Sequence, residues 1–265
     1  MKRREFLRSS LAASTLAGLS CMSAAAAESA GASNREYYEL RAYRLKTGAT
    51  HELLDTFLEK AAIPAWNRLG SSPVGVFTEI DPKAAPAIYV LIPHPTLESF
   101  ATASARMNAD ADFQKNGAEY LRSPKSNPAF ERIDIWLLLA FAGMPRLELP
   151  VYSRERKPRM FELRTYESFS ELKALKKIEM FNSGEIATMR EVGLAPVFYG
   201  QALAGPDLPH LTYMTSGETE ELHKQHWDAF GKHPVWVKLK NDPEYADTVS
   251  KITKRFLKPA AYSQI

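Results

Sequence analysis

The sequence predicts an α+β protein in which a ferredoxin-like unit, with the element order β-α-β-β-α-β, occurs twice in tandem. Three observations support this fold class. A six-residue motif that alternates like a strand recurs far along the chain, as YELRAY at residues 38–43 and FELRTY at 161–166. Each copy of the motif leads into apolar residues at helical spacing. The turns and strands that follow come in the same order both times.

The repeat holds at a constant offset of 123 positions and without a gap over residues 38–74. Identical residues there are Glu39, Leu40, Arg41, Tyr43, Ile63, Gly70, Pro73 and Val74. One inserted residue later, the strand at 87–91 is matched with 211–215. A constant offset over separated blocks indicates a duplication. We therefore expect a first domain at 37–143, a linker rich in Pro, Arg and Glu at 144–158, and a second domain at 159–263.

Within each copy the pattern predicts the elements in order. The first strand (37–45; 160–167) precedes a helix, and in the second copy Ser168 and Glu171 fit a capping box at its start. Pro64 should kink or end the first helix. A Gly-x-x-Pro turn leads to strand two (74–80; 197–202), a hairpin leads to strand three, and a second helix follows (96–108; 219–230). The apolar residues of the first helix are Leu53, Leu54, Phe57, Leu58 and Ala61 in one copy, and Leu172, Leu175, Ile178 and Phe181 in the other.

Residues 1–27 have the three parts of a secretory signal peptide: a charged start, a short apolar run, and small residues before Glu28. The adjacent Arg3 and Arg4, followed by Phe6 and Leu7, are typical of a bacterial twin-arginine signal. We expect cleavage near Ala27, a linker at 28–36, and a protein that is exported to the periplasm or the extracellular space.

Charge and cysteine content exclude several classes of function. Residues 1–27 carry four basic residues and one acidic residue, so the 34 basic and 31 acidic residues of the chain fall to 30 of each after cleavage. A neutral chain without a basic stripe is not expected to bind nucleic acid. The single cysteine, Cys21, lies in the signal. No later segment is apolar enough to span a membrane.

Residues 161–166, the Gly193-x-x-Pro196 turn and the segment around Trp227 and Trp236 resemble the NIPSNAP family. The resemblance covers 160–263 well and is traceable over 37–142. It implies a dimeric α/β barrel, here a pseudo-dimer that two fused units close within one chain around a central cavity. The wider superfamily includes monooxygenases, dismutases and plain binding proteins, so the resemblance implies a fold and no single reaction. A further homodimer is left open.

Strand alternation gives the candidate binding residues. Glu39, Arg41 and Tyr43 share one face of their strand, and three residues of the second copy do the same: Glu162, Arg164 and Tyr166. We expect Leu40 and Leu163 to lie under the helices, and the polar sets therefore to line the cavity between the two sheets. There they could bind an anionic or polar small molecule. The alternative is that each Glu and Arg form a cross-strand ion pair without a ligand.

Histidines provide a weaker signal. His223, His226 and His233 have the spacing H-x2-H-x6-H, but two histidines need a third ligand and supporting groups to hold a metal, so we expect them to face solvent. His51, His94 and His210 could ligate haem in principle, although His94 and His210 lie beside prolines as loop residues do. Trp227, Phe230 and Trp236 are expected in the core. No nucleotide-binding motif occurs, and the sequence identifies neither a cofactor nor a catalytic residue.

These observations lead to two expectations of function. The first is a protein that binds a small molecule in the cavity between the sheets, with a monooxygenase or other redox reaction included. The second is a non-enzymatic structural or partner-binding protein whose cavity is filled by its own side chains.

Overall fold

The computed structural model describes residues 35–46, 51–81 and 86–265; the signal peptide expected at residues 1–27 lies outside them. Residues Glu36–Ile265 form one compact unit. Its first half contains four strands, β1 (Tyr37–Arg44), β2 (Gly75–Glu79), β3 (Ala87–His94) and β4 (Arg132–Ala140). Its helices are α1 (Glu52–Phe57), α2 (Ile63–Arg68), α3 (Leu97–Asn108), α4 (Ala111–Asn116) and α5 (Ala118–Leu121), and a π-helical turn at Leu58–Ala62 joins α1 to α2.

The second half repeats this order after a short helix in the linker, α6 (Val151–Arg154). Its strands are β5 (Met160–Glu167), β6 (Phe198–Ala204), β7 (His210–Gly217) and β8 (Lys251–Pro259). Its helices are α7 (Glu171–Met180), α8 (Ile186–Glu191), α9 (Glu220–Lys232) and α10 (Pro234–Lys240), with a π-helical turn at Phe181–Glu185 and a 3₁₀ turn at Pro243–Tyr245. Both π-helical turns therefore fall at the same place in the repeat.

The eight strands form one closed antiparallel barrel in the order β1-β3-β2-β8-β5-β7-β6-β4. Each half contributes its four strands in the same relative order, and β2–β8 and β4–β6 pair the halves. Residue pairing also repeats: Glu39 lies opposite Ile92 in β3, and Glu162 lies opposite Thr215 in β7. Glu162 lies 123 positions after Glu39, and Thr215 lies 123 positions after Ile92. The inserted residue expected before strand three is therefore wrong, because the offset is unchanged through β3 and β7.

The face of β1 and β5 that points into the barrel is the opposite of the one expected from the sequence. Leu40 and Leu163 lie in the cluster that fills the barrel, together with Tyr38, Phe77, Leu138, Phe161, Phe198, Met214 and Leu257. Tyr43 and Tyr166 instead pack with the helices outside the barrel. Since alternate residues share a face, Glu39, Arg41, Glu162 and Arg164 lie under the helices as well. The alternation was read correctly, but the expected position of the six polar residues inside the barrel is wrong.

The barrel interior explains this reversal. Closure brings the apolar faces of both four-stranded sheets together, and burial of this apolar surface stabilises the fold. The space between the sheets is consequently filled by aromatic and aliphatic side chains. What remains is a polar pocket of about 120 Å³ at one mouth of the barrel, which includes Arg44, Tyr89, His210 and Arg255 in its lining. The expected ligand-sized central cavity is therefore absent from the described residues.

Several local expectations also change. Leu172 and Leu175 are 67% and 51% exposed rather than buried, and α7 instead buries Ala174, Lys177, Ile178 and Met180. Ser170, not Ser168, caps α7 by accepting a hydrogen bond from the Lys173 amide. Pro64 lies at the start of α2, directly after the π-helical turn, so the helical path continues past it. The turns at Gly70 and Gly193 are confirmed, and both glycines have a left-handed φ of 87°.

Among the described helices, none combines the length and the apolar character that a membrane crossing requires.

Candidate functional site between sheet and helix

Each half contains a row of Glu, Arg and Tyr on the helix-facing side of its first strand. In β1, the Arg41 Nε donates to Glu39 Oε1 at 2.6 Å, and its Nη1 donates to the Tyr43 hydroxyl at 3.2 Å. In β5 the corresponding distances from Arg164 are 2.8 Å to Glu162 Oε1 and 3.4 Å to the Tyr166 hydroxyl. The ion pairs expected as the alternative to ligand binding are therefore present in both halves.

A buried histidine completes each row, but it comes from different elements. His94, at the end of β3, places Nε2 3.1 Å from Glu39 Oε2. His223, in α9, places Nε2 2.9 Å from Glu162 Oε2. Both imidazoles are almost fully buried, so His223 does not face solvent as expected and His94 is a strand residue rather than a loop residue.

An exchange of residues between the halves explains this difference. Gly217 occupies the position of His94 in the repeat, and His223 occupies that of Phe100. A Cβ atom at Gly217 would lie only 3.0 Å from the His223 Cβ and 3.1 Å from its Nδ1. The lack of a side chain at Gly217 is therefore what makes room for the histidine of α9. In the first half, Phe100 packs edge-on against His94, with ring centroids 5.6 Å apart.

Trp227 adds a further contact in the second half. Its Nε1 donates to Glu162 Oε2 at 2.7 Å, and its ring lies 3.6 Å from the Arg164 guanidinium carbon. In the first half Arg41 lies 5.1 Å from the ring centroid of Trp66, a tryptophan of α2 that is not at the position of Trp227. A cation close to an aromatic face is stabilised by the ring quadrupole. Trp227 is therefore part of the polar row as well as of the core aromatic cluster.

The buried glutamates are held as carboxylates. Burial acts to raise the pKa of Glu162, but the hydrogen bond from His223 and the charge of Arg164 outweigh it, and the pKa lies below its ordinary value. The same balance, with His94 and Arg41, lowers the pKa of Glu39. A carboxylate with a lowered pKa that already accepts hydrogen bonds at both oxygens is a poor proton acceptor. The glutamates therefore position their neighbours.

The second row opens into a cleft of about 470 Å³ between β5, β8 and α9. Glu162, Arg164, His223 and Trp227 form its inner wall, and the outer residues are Glu220, Glu221, Lys224, Lys254 and Phe256. Phe256 is 43% exposed, which is unusual for a phenylalanine and provides an apolar wall. Sequence reasoning named Glu162 and Arg164 as binding residues but expected them between the sheets, and it missed Lys254 and Phe256, which belong to the last strand.

Arg164 has one donor group that the protein leaves available. Its Nε and Nη1 are bonded to Glu162 and Tyr166. Nη2 has no hydrogen-bond acceptor among the described residues. Since Arg164 lines the cleft, this nitrogen can donate to a bound molecule there.

The first half differs at the positions that would line an equivalent cleft. Phe100, Ala101 and Ser104 stand where the second half has His223, Lys224 and Trp227. On the last strand of each half, Glu39 pairs with Leu137 where Glu162 pairs with Phe256. Glu39, Arg41 and Tyr43 therefore belong to an ion-paired row without the cationic and aromatic lining of the second half.

The remaining histidines do not form a metal centre. His226 lies against the backbone at Gly193, and His233 caps α10 through the Val235 amide. His51 is exposed and pairs with Asp55, while His210 is buried at the start of β7. Within residues 35–46, 51–81 and 86–265, no group of three or more His, Cys, Asp or Glu side chains is arranged to hold a metal ion.

The sequence and the fold both have known relatives. The sequence model of the NIPSNAP family matches residues 38–125 and 161–264. No curated protein matches the chain.

Solved structures show the same overall architecture. A “putative monooxygenase” from Fusobacterium nucleatum subsp. nucleatum is 8% identical, covers 85% of this chain and 92% of its own, and has a TM-score of 0.53. A second, from Lactobacillus acidophilus NCFM, is 9% identical, covers 85% and 94%, and has a TM-score of 0.54. An anthrone oxidase-like protein is 10% identical, covers 85% and 92%, and has a TM-score of 0.51. At these identities the likeness shows the fold alone: an α+β protein with a closed antiparallel barrel of eight strands.

Proposed function

The chain belongs to the NIPSNAP family, and we propose that it binds a small planar organic anion in the cleft between β5, β8 and α9. This places the ligand outside the barrel and under a helix, not between the sheets. The observation that carries the proposal is the Arg164 guanidinium, which the protein fixes on three sides and leaves with Nη2 available to the cleft. A preorganised guanidinium edge suits carboxylate, sulfonate or phenolate oxygens.

The other cleft residues indicate the shape of the ligand. Trp227 and Phe256 offer aromatic surface, which favours a flat apolar body. The ammonium groups of Lys224 and Lys254 are balanced in number by the carboxylates of Glu220 and Glu221. Glu162 likewise balances Arg164. The lining is thus neutral overall, and recognition of an anion depends on the directed hydrogen bond from Arg164 rather than on net charge.

A redox reaction on the bound molecule is the second candidate. Arg164 at the inner wall of the cleft contacts the oxidisable ring of Trp227 and the hydroxyl of Tyr166, and Tyr213 lies behind Tyr166. The names of the fold neighbours agree with such a reaction but come from proteins at most 10% identical. The rival, a non-enzymatic structural protein, is supported by the filled barrel interior.

Binding is tested with the fluorescent anion anilinonaphthalenesulfonate and its uncharged counterpart phenylnaphthylamine. We expect Arg164→Lys to weaken binding of the anion about tenfold or more, the usual effect of losing a charge-assisted hydrogen bond. The lysine can still pair with Glu162, so folding should be retained. Binding of the uncharged probe should not change, because it has no group for Arg164.

The matched control is Arg41→Lys, which makes the same change in the first half outside the cleft. It should leave the binding of both probes unaltered. Comparing variants removes the background from probe bound at exposed apolar residues such as Phe169 and Leu172. If Arg164→Lys and Arg41→Lys have equal effects on anion binding, the cleft is not the site.

We also propose that the protein acts after export and that residues 1–27 are a twin-arginine signal. In the host cell, replacing Arg3 and Arg4 with lysine should leave unprocessed protein inside, because the export machinery reads the arginine pair. N-terminal sequencing of the exported wild-type protein should find a start near Glu28. Normal export of the double variant would contradict the assignment.

The two halves are further proposed to derive from one ferredoxin-like unit by duplication. The constant offset of 123 positions in the β1–β3 and β5–β7 pairings supports this.

A further inference from the structure

The interior of the second half holds an ion pair that has no counterpart at the equivalent positions of the first half. Lys177 and Glu185 are both almost fully buried, with Nζ donating to Glu185 Oε2 at 2.8 Å. At the equivalent positions of the first half stand Leu54 and Ala62, which are also fully buried. Replacing a buried ion pair by apolar residues of similar volume is often neutral or stabilising. The ion pair is therefore not expected to add to stability, and the first half forms the equivalent helices without it.

Tyrosines surround this pair in the same asymmetric way. Tyr199 and Tyr213 are fully buried and occupy the positions of Val76 and Val90. The Tyr213 hydroxyl lies 2.8 Å from the hydroxyl of Tyr166, which in turn accepts a hydrogen bond from Arg164. A connected set of polar groups thus leads from the inner wall of the cleft towards the buried pair.

Charged groups lie at both ends of this set. The Tyr166 hydroxyl accepts from the Arg164 cation, and in its hydrogen bond with Tyr213 either hydroxyl can be the donor. Burial raises the pKa of Tyr213, and the negative charge of Glu185 adds to this effect. Hydrogen bonds in a connected set polarise one another, so the Tyr166 hydroxyl that holds Arg164 depends on its neighbours.

Lys177 keeps the anionic end in place. Its Nζ lies 4.8 Å from the Phe181 ring centroid, 5.2 Å from that of Trp236 and 5.8 Å from that of Tyr166. Three aromatic faces stabilise the buried ammonium in addition to Glu185. The ammonium in turn opposes the effect of burial, which raises the pKa of Glu185.

We propose that Tyr166, Tyr213, Lys177 and Glu185 are positioning residues of the cleft, which hold Arg164 through Nη1 so that Nη2 is presented to the ligand's anionic group. The inference rests on the proposed function of the cleft. It explains why the second half retains a buried polar set where the first half has Leu54, Ala62 and Val90. The buried polar set thereby makes the cleft of the second half specific for an anion rather than for any flat apolar molecule.

Two variants test the network with the same pair of probes. Lys177→Met with Glu185→Leu removes the ion pair at similar volume, and Tyr213→Phe removes only the hydroxyl. For both we expect anilinonaphthalenesulfonate to bind about fivefold to tenfold more weakly and phenylnaphthylamine to bind as before. The thermal midpoint of the double variant should equal or exceed that of the wild type. A merely structural role would lower the affinity for both probes together.

The outcomes separate this inference from the proposed function. If Arg164→Lys weakens anion binding while both network variants bind the anion like the wild type, the positioning role is overturned and the cleft stands. If Arg164→Lys has no selective effect on the anion, the proposed function fails first. Should the double variant fail to fold, Tyr213→Phe alone decides, since it keeps the ion pair and the ring.

Discussion

Gly217→His is expected to destabilise the protein by about 3 kcal/mol or more, the upper range for overpacking a buried site. The new imidazole would occupy the space of the His223 side chain, whose Cβ lies 3.0 Å from the position of a Cβ at Gly217. His223 would have to move away from Glu162, so the buried carboxylate would also lose a donor. Urea denaturation of the purified variant measures the loss.

Adding His223→Phe to this variant should recover most of the lost stability. The double variant has the arrangement of the first half, in which His94 comes from the strand and Phe100 packs against it from the helix. Two residues that compete for one space should show a coupling energy of about 2 kcal/mol or more. The double variant should remain about 1 kcal/mol less stable than the wild type. In the first half Ser71 Oγ lies 3.2 Å from His94 Nδ1, but Leu194 stands at that position in the second half, so the new histidine has no such partner.

The reverse exchange is the matched control. His94→Gly with Phe100→His should give the first half a histidine on its helix. The loss of unfolding free energy in this double variant should again be smaller than the sum of the losses in the two single variants. If the effects of the single substitutions on the free energy of unfolding add up in either half, the two histidines do not occupy equivalent space. The explanation of their different origins would then be wrong.

The sequence predicts the barrel strands well because their pattern is local. Alternation in YELRAY and FELRTY places Glu, Arg and Tyr on one face, and the structure confirms that they share it. Which face is inside the barrel is not local information. Both faces of β1 and β5 are buried in the closed barrel, one by the opposite sheet and one by helices, so parity alone cannot assign them.

Only Glu162 and Arg164 of the candidate cleft were predicted as binding residues, for three physical reasons. Charged strand residues can lie under helices when those helices supply partners, as His223 and Trp227 of α9 do for Glu162. The two histidines do not align in the repeat, since one is in β3 and the other in α9. Phe256 lies in the last strand and pairs with Glu162, as Leu137 pairs with Glu39. Phe256 and Leu137 are 119 positions apart rather than 123, so a search at constant offset does not connect them.

Glu162→Leu is expected to be the most damaging single change in the cleft, costing about 3–5 kcal/mol of stability near neutral pH. Three donors then lose their acceptor at once, namely Arg164 Nε, His223 Nε2 and Trp227 Nε1. Glu39→Leu is the matched control and should cost less, because it deprives only two donors. The larger cost expected for Glu162→Leu reflects the third donor, Trp227 Nε1.

The cost of Glu162→Leu should also depend on pH in a defined direction. The pKa of Glu162 is lowered in the folded protein, so its contribution is fully present above the unfolded value of about 4.3 and is lost as the pH falls through the folded value. Urea midpoints at pH 7 and near pH 3 should therefore show wild type and variant converging in acid. A gap that is the same at both pH values would mean that the damage comes from packing, and that the Glu162 carboxylate does not hold Arg164, His223 and Trp227 through its charge.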